Sequence, residues 1–284
     1  MLWTSRISSD VWEVDFRFLT IREFNLGLFT RGWLFRLLED AHMDASLFTF
    51  TELDPLIDNI EEIIPKLKAY TTGNVVDKVT CTEKRVLKKQ GNAPETKKVA
   101  LLDLGAKRNI AQSLRERGCE VTVYPAHTSA EEILAANPDG IMLSNGPGDP
   151  KECKEIIAEI RKLYESDTPI FAICLGHQLM ALATGADTHK MKYGHRGGNH
   201  PVKDLATNRV YISSQNHGYV VDTDTLDPKV ATPAFVNVND GTNEGLSYVG
   251  KNIFTVQFHP EACPGPQDSA YLFDRFINMM GGAK

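Results

Sequence analysis

The sequence predicts an α/β protein whose doubly wound, mostly parallel sheet carries a cysteine on a strand-to-helix elbow, preceded by a small and incomplete N-terminal domain. Two observations predict this fold. From Val99 onward, short apolar runs alternate with amphipathic segments, which is typical of a parallel sheet covered by helices on both faces. The apolar run 171–173 also leads directly into Cys174, then into Gly176 and another periodic segment, which indicates strand, sharp turn and helix.

The first elements of this α/β region follow one another as strand, helix, strand, helix. A helix over 107–117 should end at Gly118, because glycine readily adopts the backbone conformation that terminates helices. The next helix, over 129–136, should begin at Ser129 or Thr128, whose hydroxyl can accept a hydrogen bond from a free N–H group. A third, amphipathic helix is predicted over 151–167. The predicted strands are 99–104, 120–124, 140–143 and 170–173.

After about residue 190 the pattern changes to shorter strands, and a helix closes the chain. The polar segment 216–219 is predicted to be a turn between two of these strands. The predicted strands are 209–213, 219–221, 230–238, 245–249 and 253–258, and the inward side chains of the final helix are Leu272, Phe273, Phe276, Ile277 and Met280.

The front of the chain has a different character. Residues 1–50 are atypical, because they contain all three tryptophans and irregular clumps of apolar residues. A helix is predicted over 54–68, with Pro55 in its first turn. We therefore predict a small N-terminal domain over 1–85, a linker over 86–97 and the α/β domain over 98–284.

Composition and charge exclude several classes of function. The formal net charge is −6 and there is no long Lys/Arg block, so nucleic acid and anionic membranes are not expected partners. No apolar run approaches the ~18 residues of a membrane span. The five cysteines are widely spread and form no Cys-x-x-Cys pair, which favours a cytoplasmic protein without a zinc knuckle.

Cys174 is the candidate nucleophile. The small neighbours Ala172 and Gly176 suit a sharp elbow, and the helix start should favour the thiolate over the thiol. A lone cysteine at the end of an apolar strand is more often a core residue. Other segments of the chain must therefore decide between the two interpretations.

The candidate base lies at the end of the last predicted strand. His259 and Glu261 are two residues apart, so on extended chain their side chains share one face, and Pro260 favours that geometry. Glu261 can then orient the imidazole of His259 while the other ring nitrogen serves Cys174. The similar segment 200–202 has no acid at its third position.

Two polar segments are candidates for substrate contact. The loop 144–150 is either a tight turn or an oxyanion hole, in which an N–H group near Gly146 acts with that of Leu175. The segment 216–219 is either a hairpin turn or a contact for the substrate.

Three segments in chain order resemble one known family. The loop 144–150, the segment 174–178 and the tripeptide 259–261 together resemble the triad-type (class I) glutamine amidotransferases. Within that family, the segments 107–110, 197–202 and 215–218 resemble the small, glutaminase chain of carbamoyl phosphate synthase. The resemblance covers roughly residues 70–280.

The resemblance implies a class I glutamine amidotransferase-like fold and a role for each site residue. Cys174 would attack the side-chain amide of glutamine, His259 would carry a proton to the departing ammonia, and Glu261 would orient His259. The glutamine would be held by seven residues, namely Gly146, Gly148, Leu175, Gln178, Asn216, Gly218 and Tyr219.

The resemblance also implies what lies outside this chain. No phosphate-binding loop or metal-ligand cluster is evident in the sequence, so no cofactor and no metal are expected here. Ammonia would pass to a separate large synthetase chain, which would hold ATP and a divalent metal. That chain would make carbamoyl phosphate for arginine and pyrimidine biosynthesis.

The sequence departs from the family at its front. Residues 1–50 do not resemble the family's N-terminal domain, which supplies a serine contact to glutamine. Two alternatives therefore stay open: a non-catalytic interaction subunit, and a glutaminase that serves another synthetase such as the anthranilate or guanylate enzymes. The segment 197–202 and the tail of the N-terminal domain argue against the second.

Overall fold

The computed structural model describes residues 73–90, 97–263 and 265–281. The chain divides into two units at Thr71 and Thr72, and all of the described residues belong to the second unit. The predicted helix over 54–68 and the atypical stretch 1–50 lie outside the described residues.

The described residues form one mixed sheet. Its order is β1-β3-β2-β4-β5-β10-β9-β8-β6-β7, and the five strands from β3 to β10 in this order run parallel. Antiparallel strands extend both sides of this parallel centre. The strands are β1 Arg85–Leu87, β2 Lys97–Asp103, β3 Cys119–Pro125, β4 Gly140–Leu143, β5 Ile170–Ile173, β6 Thr188–Asp204, β7 Val210–Val221, β8 Ala231–Asn237, β9 Asn243–Tyr248 and β10 Ile253–Val256.

Helices cover both faces of the parallel centre, which confirms the predicted fold class. Apolar side chains of α2, α3 and α4 belong to one buried cluster, and those of α1 and α5 belong to a second cluster. None of the helices in the described ranges is long and apolar enough to cross a membrane. The helices are α1 Arg108–Glu116, α2 Ala130–Ala135, α3 Lys154–Glu165, α4 Leu175–Ala183 and α5 Tyr271–Met280, with short 3₁₀ turns at Val76–Lys78, Pro150–Glu152 and Thr223–Thr225.

Four phenylalanines pack α5 onto the middle of the sheet. The rings of Phe171 in β5 and Phe254 in β10 stack with their centroids 4.4 Å apart. Phe273 and Phe276 of α5 lie 5.7 Å and 5.9 Å from the ring of Phe171. This packing fixes two neighbouring strands whose carboxyl ends lead to the candidate site, and it confirms the inward face predicted for the final helix, with Ile277 half-buried at its margin.

The predicted helix boundaries hold with one shift. Gly118 follows α1 with a φ of +88°, and the hydroxyl of Ser129 accepts a hydrogen bond from the N–H of Glu132, so Ser129 rather than Thr128 caps α2. The helix predicted from residue 151 begins at Lys154 instead. The reason is that Asp149 caps a separate 3₁₀ turn, where its carboxylate accepts a hydrogen bond from the N–H of Lys151.

The predicted strands 230–238 and 245–249 correspond to β8 and β9, whereas the prediction was wrong for the two outermost strands, β6 and β7. The polar segment 216–219 is not a turn, because β7 runs without a break from Val210 to Val221. Its long partner β6 was not predicted as a strand at all. Shifts in the pairing register between Lys190 and His195, and between Gly197 and His200, interrupt the alternation of side chains that identifies a strand in sequence. At the other end of this region, the strand predicted over 253–258 stops at Val256.

The segment 73–90 joins the sheet. Arg85–Leu87 forms β1 and pairs antiparallel with β3, and β2 begins at Lys97. Residues at both ends of the predicted linker are therefore strand residues. The division into 1–85, 86–97 and 98–284 stays a prediction.

Replacement of Phe171 by alanine should destabilise this unit strongly. Phe171 is fully buried and contacts three other aromatic rings, so Phe171→Ala should lower the free energy of unfolding by about 3–5 kcal/mol. Urea denaturation followed by circular dichroism measures the change. The exposed Val249 provides a control, since Val249→Ala should change stability by less than about 0.5 kcal/mol. Equal effects of the two substitutions would contradict the central role of the phenylalanine cluster.

Candidate active site

Cys174 lies on a strained elbow between β5 and α4. Its backbone has a φ of +52° and a ψ of −104°, a conformation that residues with a side chain rarely adopt. Its N–H group donates a 2.8 Å hydrogen bond to the carbonyl of Val256 in β10. The side chain is 4% exposed, at the start of α4, where backbone N–H groups are free to bind developing negative charge.

The elbow requires glycine at position 176. A Cβ atom on Gly176 would lie 2.6 Å from the carbonyl oxygen of Leu143, closer than real Cβ atoms approach. The N–H of Gly176 also donates a 3.1 Å hydrogen bond to the carbonyl of Ser144. The first turn of α4 therefore rests directly on the end of β4, as the predicted need for a small residue anticipated.

The sheet brings the predicted base to the elbow. β10 is the parallel neighbour of β5, with Val256 opposite Ile173, so the chain beyond both strands emerges at the same edge. His259 and Glu261 follow β10 and are 2% and 4% exposed. Nδ1 of His259 lies 2.8 Å from Oε1 of Glu261, which confirms that the two side chains are paired.

The charges around His259 favour its protonated form. Burial lowers the pKa of His259, but the side chain of Cys174 and the carboxylate of Glu261 outweigh burial and raise that pKa to about 9. Burial raises the pKa of Glu261, yet its hydrogen bond to His259 and the charge of Lys107 leave that pKa lowered overall. The protonated imidazole is thus placed between a sulfur and a carboxylate.

Two residues that support Glu261 were not predicted to act in the site. Nζ of Lys107 lies 3.4 Å from Oε1 of Glu261, and Nδ2 of Asn109 donates a 3.2 Å hydrogen bond to the backbone carbonyl of Glu261. Both follow β2 at the same edge of the sheet as Cys174. Their position after a parallel strand was the available signal, although spacing in the sequence could not connect them with Glu261.

The loop 144–150 packs against the elbow. A Cβ atom on Gly146 would clash with the carbonyl oxygen of Leu104 and would lie 2.6 Å from Cδ2 of Leu175, so the structure brings Gly146 and Leu175 together. Gly148 has a φ of +97°, which favours glycine. The Oδ1 atom of Asn145 accepts a hydrogen bond from the N–H of Lys107 and ties the loop to the end of β2.

The remaining predicted residues line β7 and the first turns of α4. Nε2 of Gln178 donates hydrogen bonds to the carbonyl of Tyr219 and to Oε1 of Gln257, at 2.8 Å and 2.9 Å. Gly218 and Tyr219 are half-buried, whereas Asn216 is exposed. Burial and the neighbouring Asp149 raise the pKa of the Tyr219 phenol to about 12. Tyr219 of β7 therefore lies close to Gln178 of α4 and to Asp149 of the loop 144–150.

A second buried polar cluster lies in the antiparallel part of the sheet. His195, His217 and Glu244 each offer a ligand atom, and these atoms all lie within 4.8 Å of one another. Among the residues that the structure describes, these three could hold a metal ion. The sequence did not indicate them, because they come from three different strands without a recognisable spacing.

Comparison with known proteins relates the described unit to one family. Residues 100–279 match the family described as glutamine amidotransferase class-I. The chain is 50% identical over 219 residues to a carbamoyl phosphate synthase small chain of Clostridium perfringens, covering 77% of this chain and 60% of that relative. It is 46% identical over 243 residues to the small chain from Neisseria meningitidis serogroup B, covering 82% of this chain and 64% of that relative.

The chain therefore spans less than two thirds of the length of these relatives. Among solved structures, a Thermoplasma acidophilum protein described as belonging to GMP synthase matches with a TM-score of 0.59 and 23% identity. The match covers 66% of this chain and 96% of that protein, and it shows a shared fold.

Addition of a methyl group at the elbow tests the close approach of α4 to β4. Gly176→Ala should lower the free energy of unfolding by about 1–3 kcal/mol, because backbone atoms must move to accommodate the new Cβ. The displaced elbow should also slow alkylation of the Cys174 thiol by iodoacetamide, measured by peptide mass spectrometry. Gly198→Ala is the matched control, since its Cβ would lie an ordinary 3.7 Å from Cδ of Pro266. Normal stability and alkylation in Gly176→Ala would refute the constraint.

Proposed function

Since this chain belongs to the class-I glutamine amidotransferase family, we propose that it hydrolyses glutamine to glutamate and ammonia through Cys174, His259 and Glu261. One observation carries the proposal. A buried cysteine with a φ of +52° stands at the start of a helix, and the neighbouring strand leads to a histidine whose Nδ1 is 2.8 Å from a buried carboxylate. These three side chains lie at one edge of the sheet, which supports their proposed roles as nucleophile, proton carrier and orienting acid.

The chemistry proceeds in two stages. Sγ of Cys174 attacks the side-chain amide carbon of glutamine and forms a carbon–sulfur bond, and His259 gives its proton to the amide nitrogen as the carbon–nitrogen bond breaks. Ammonia leaves and a thioester remains. His259 then takes a proton from water as the water oxygen attacks the thioester carbon. The carbon–sulfur bond breaks, glutamate leaves, and the thiolate of Cys174 is restored beside protonated His259.

Each negatively charged intermediate needs hydrogen-bond donors. We assign this role to the N–H of Leu175, at the start of α4, and to an N–H of the loop near Gly146. The contact between Gly146 and the side chain of Leu175 supports this pairing. The glutamine itself would lie against Gly146, Gly148, Leu175, Gln178, Asn216, Gly218 and Tyr219.

The relatives support a proposal for the destination of the ammonia. Because they are carbamoyl phosphate synthase small chains, the proposed acceptor is a large synthetase chain that holds ATP and a divalent metal and makes carbamoyl phosphate. This product feeds arginine and pyrimidine biosynthesis. A cytoplasmic location agrees with five cysteines that are all unpaired, four of them at least partly buried.

Replacement of the nucleophile tests the proposed reaction. Cys174→Ser should reduce glutamate release from glutamine by at least about a thousandfold, because the hydroxyl is a far weaker nucleophile than the thiolate. The thermal midpoint should stay close to that of the unmodified chain. Glutamate release is measured with and without a carbamoyl phosphate synthase large chain.

Activity of Cys174→Ser above about one tenth of the unmodified rate would remove Cys174 from the nucleophile role. Glutaminase activity that the large chain neither stimulates nor couples to carbamoyl phosphate would favour a different synthetase. Absence of activity in the unmodified chain under both conditions would favour an interaction subunit.

The pH dependence of the reaction tests the pairing of His259 with Glu261. Ammonia departure needs protonated His259, so kcat/KM should fall as the pH rises through about 9. Glu261→Gln removes a negative charge that holds the proton on His259, and the alkaline limb should therefore move down by at least about one pH unit. Initial rates of glutamate release between pH 6 and pH 10 provide the profile.

His259→Asn is the comparison variant. It should lose more activity at neutral pH than Glu261→Gln, because an orienting residue is generally less costly to lose than the proton carrier. An alkaline limb in Glu261→Gln that coincides with that of the unmodified chain would contradict the proposed role of the carboxylate.

A further inference from the structure

Four buried polar side chains converge between strands β6, β7 and β9. His195 comes from β6, Gln215 and His217 from β7, and Glu244 from β9. Their exposed fractions are 7%, 2%, 6% and 0% in that order. Burial of a polar atom without a hydrogen-bond partner costs free energy, so each polar atom in this cluster is expected to have a partner.

The outer nitrogen of each imidazole already has a partner. Nε2 of His195 lies 2.8 Å from Oδ2 of Asp240, and Nδ1 of His217 lies 2.8 Å from the carbonyl oxygen of Tyr219. A carbonyl oxygen only accepts, so Nδ1 of His217 must carry a hydrogen. The other ring nitrogen of His217, Nε2, points into the cluster toward His195 and Gln215.

Nε2 of His217 meets the acceptor atom of a neighbouring amide. Nε2 of His217 is 2.7 Å from Oε1 of Gln215. The orientation of the Gln215 amide is fixed, because its nitrogen donates a 2.9 Å hydrogen bond to Oε1 of Glu244 and a 3.2 Å hydrogen bond to the hydroxyl of Ser213. When the His217 ring is neutral, its one hydrogen is on Nδ1, so Nε2 of His217 and Oε1 of Gln215 are two acceptors at hydrogen-bond distance with no hydrogen between them.

The inner nitrogen of His195 completes the cluster. Nδ1 of His195 is 3.2 Å from Nε2 of His217, 3.1 Å from Oε1 of Gln215 and 3.3 Å from Oε1 of Glu244. A hydrogen on Nδ1 of His195 would still leave the 2.7 Å contact between Nε2 of His217 and Oε1 of Gln215 without one. It also leaves Oε2 of Glu244 without a hydrogen-bond partner in the described part of the chain.

We propose that this cluster is a binding site for a Zn²⁺-type divalent cation, with Nδ1 of His195, Nε2 of His217, a carboxylate oxygen of Glu244 and Oε1 of Gln215 as ligands. Tetrahedral zinc with bonds of about 2.0–2.2 Å places its ligands about 3.3–3.6 Å apart. Nδ1 of His195 lies 3.1–3.3 Å from Nε2 of His217, Oε1 of Gln215 and Oε1 of Glu244, close to this spacing. Nε2 of His217 and Oε1 of Gln215, now 2.7 Å apart, must separate to admit the ion.

The surroundings match those of histidine ligands in metal sites. Such a histidine usually donates its second N–H to a carboxylate or a backbone carbonyl, which are the partners that His195 and His217 have in Asp240 and Tyr219. Four protein ligands and deep burial leave no open position for a substrate, so the bound ion is structural. It ties β6, β7 and β9 together and, through His217, holds the carbonyl of Tyr219 that also receives the hydrogen bond of Gln178.

The ligand set predicts selectivity. Two imidazoles favour Zn²⁺ and neighbouring transition metals, whereas Mg²⁺ and Ca²⁺ prefer oxygen ligands alone. The untagged full-length chain, treated with a chelator and dialysed, should take up one equivalent of Zn²⁺ from a competing chromophoric chelator. It should not take up Mg²⁺ under the same conditions.

Variants separate this cluster from surface histidines. His195→Gln and Glu244→Gln should each weaken Zn²⁺ binding by at least about 100-fold. His189→Gln is the matched control, because His189 belongs to the same strand but is exposed and pairs with Asp222. This control should bind Zn²⁺ like the unmodified chain. Circular dichroism shows whether each variant is folded.

A spectroscopic measurement on the unmodified chain does not depend on any variant. Co²⁺ in place of Zn²⁺ should give the intense visible absorption of tetrahedral coordination, and Zn²⁺ should abolish it. Uptake below about 0.1 equivalent, or weak octahedral absorption, would overturn the proposal. Unchanged binding in folded His195→Gln would also overturn it. Because glutamine plays no part in these measurements, their outcome is independent of the proposed glutaminase activity.

Discussion

The close approach of α4 to the end of β4 is the constraint on which the candidate site depends. Gly176 allows the backbones to meet, since a Cβ there would lie 2.6 Å from the carbonyl of Leu143. With that turn fixed, Cys174 is held at a φ of +52°, in a conformation that an isolated chain would leave. The surrounding structure must supply the energy for this strain. Two interactions stabilise the strained elbow: the hydrogen bond from the N–H of Cys174 to the carbonyl of Val256 in β10, and the packing of phenylalanines that holds β5 and β10 against α5.

Pairing of β5 with β10 then decides which residues meet the sulfur. Because β5 and β10 are parallel neighbours, the chain leaves both strands at the same edge of the sheet. The segment after Val256 therefore places His259 next to the elbow. The side chain of Cys174 and the carboxylate of Glu261 raise the pKa of His259 despite its burial. Lys107, from the end of β2, adds positive charge next to Glu261.

The antiparallel strands contain a second group of buried polar residues, next to the candidate active site. β7 carries Tyr219, whose carbonyl accepts hydrogen bonds from both Gln178 of the elbow helix and His217 of the buried cluster. The candidate glutamine site and the cluster therefore share one backbone atom.

The sequence by itself determined the parallel centre and the three members of the proposed triad. The spacing of apolar residues and the helix-capping residues predict the strands and helices from Val99 to α4. The elbow at Cys174 and the pairing of His259 with Glu261 are local features, which can be predicted from neighbouring residues in the sequence. Only the tertiary structure decided the rest. β6 was missed because its bulges shift the two-residue period, and Lys107 lies beside Glu261 only through the order of strands in the sheet. The cluster around Glu244 draws on three strands, so its chemistry exists only when long-range pairing brings those strands together.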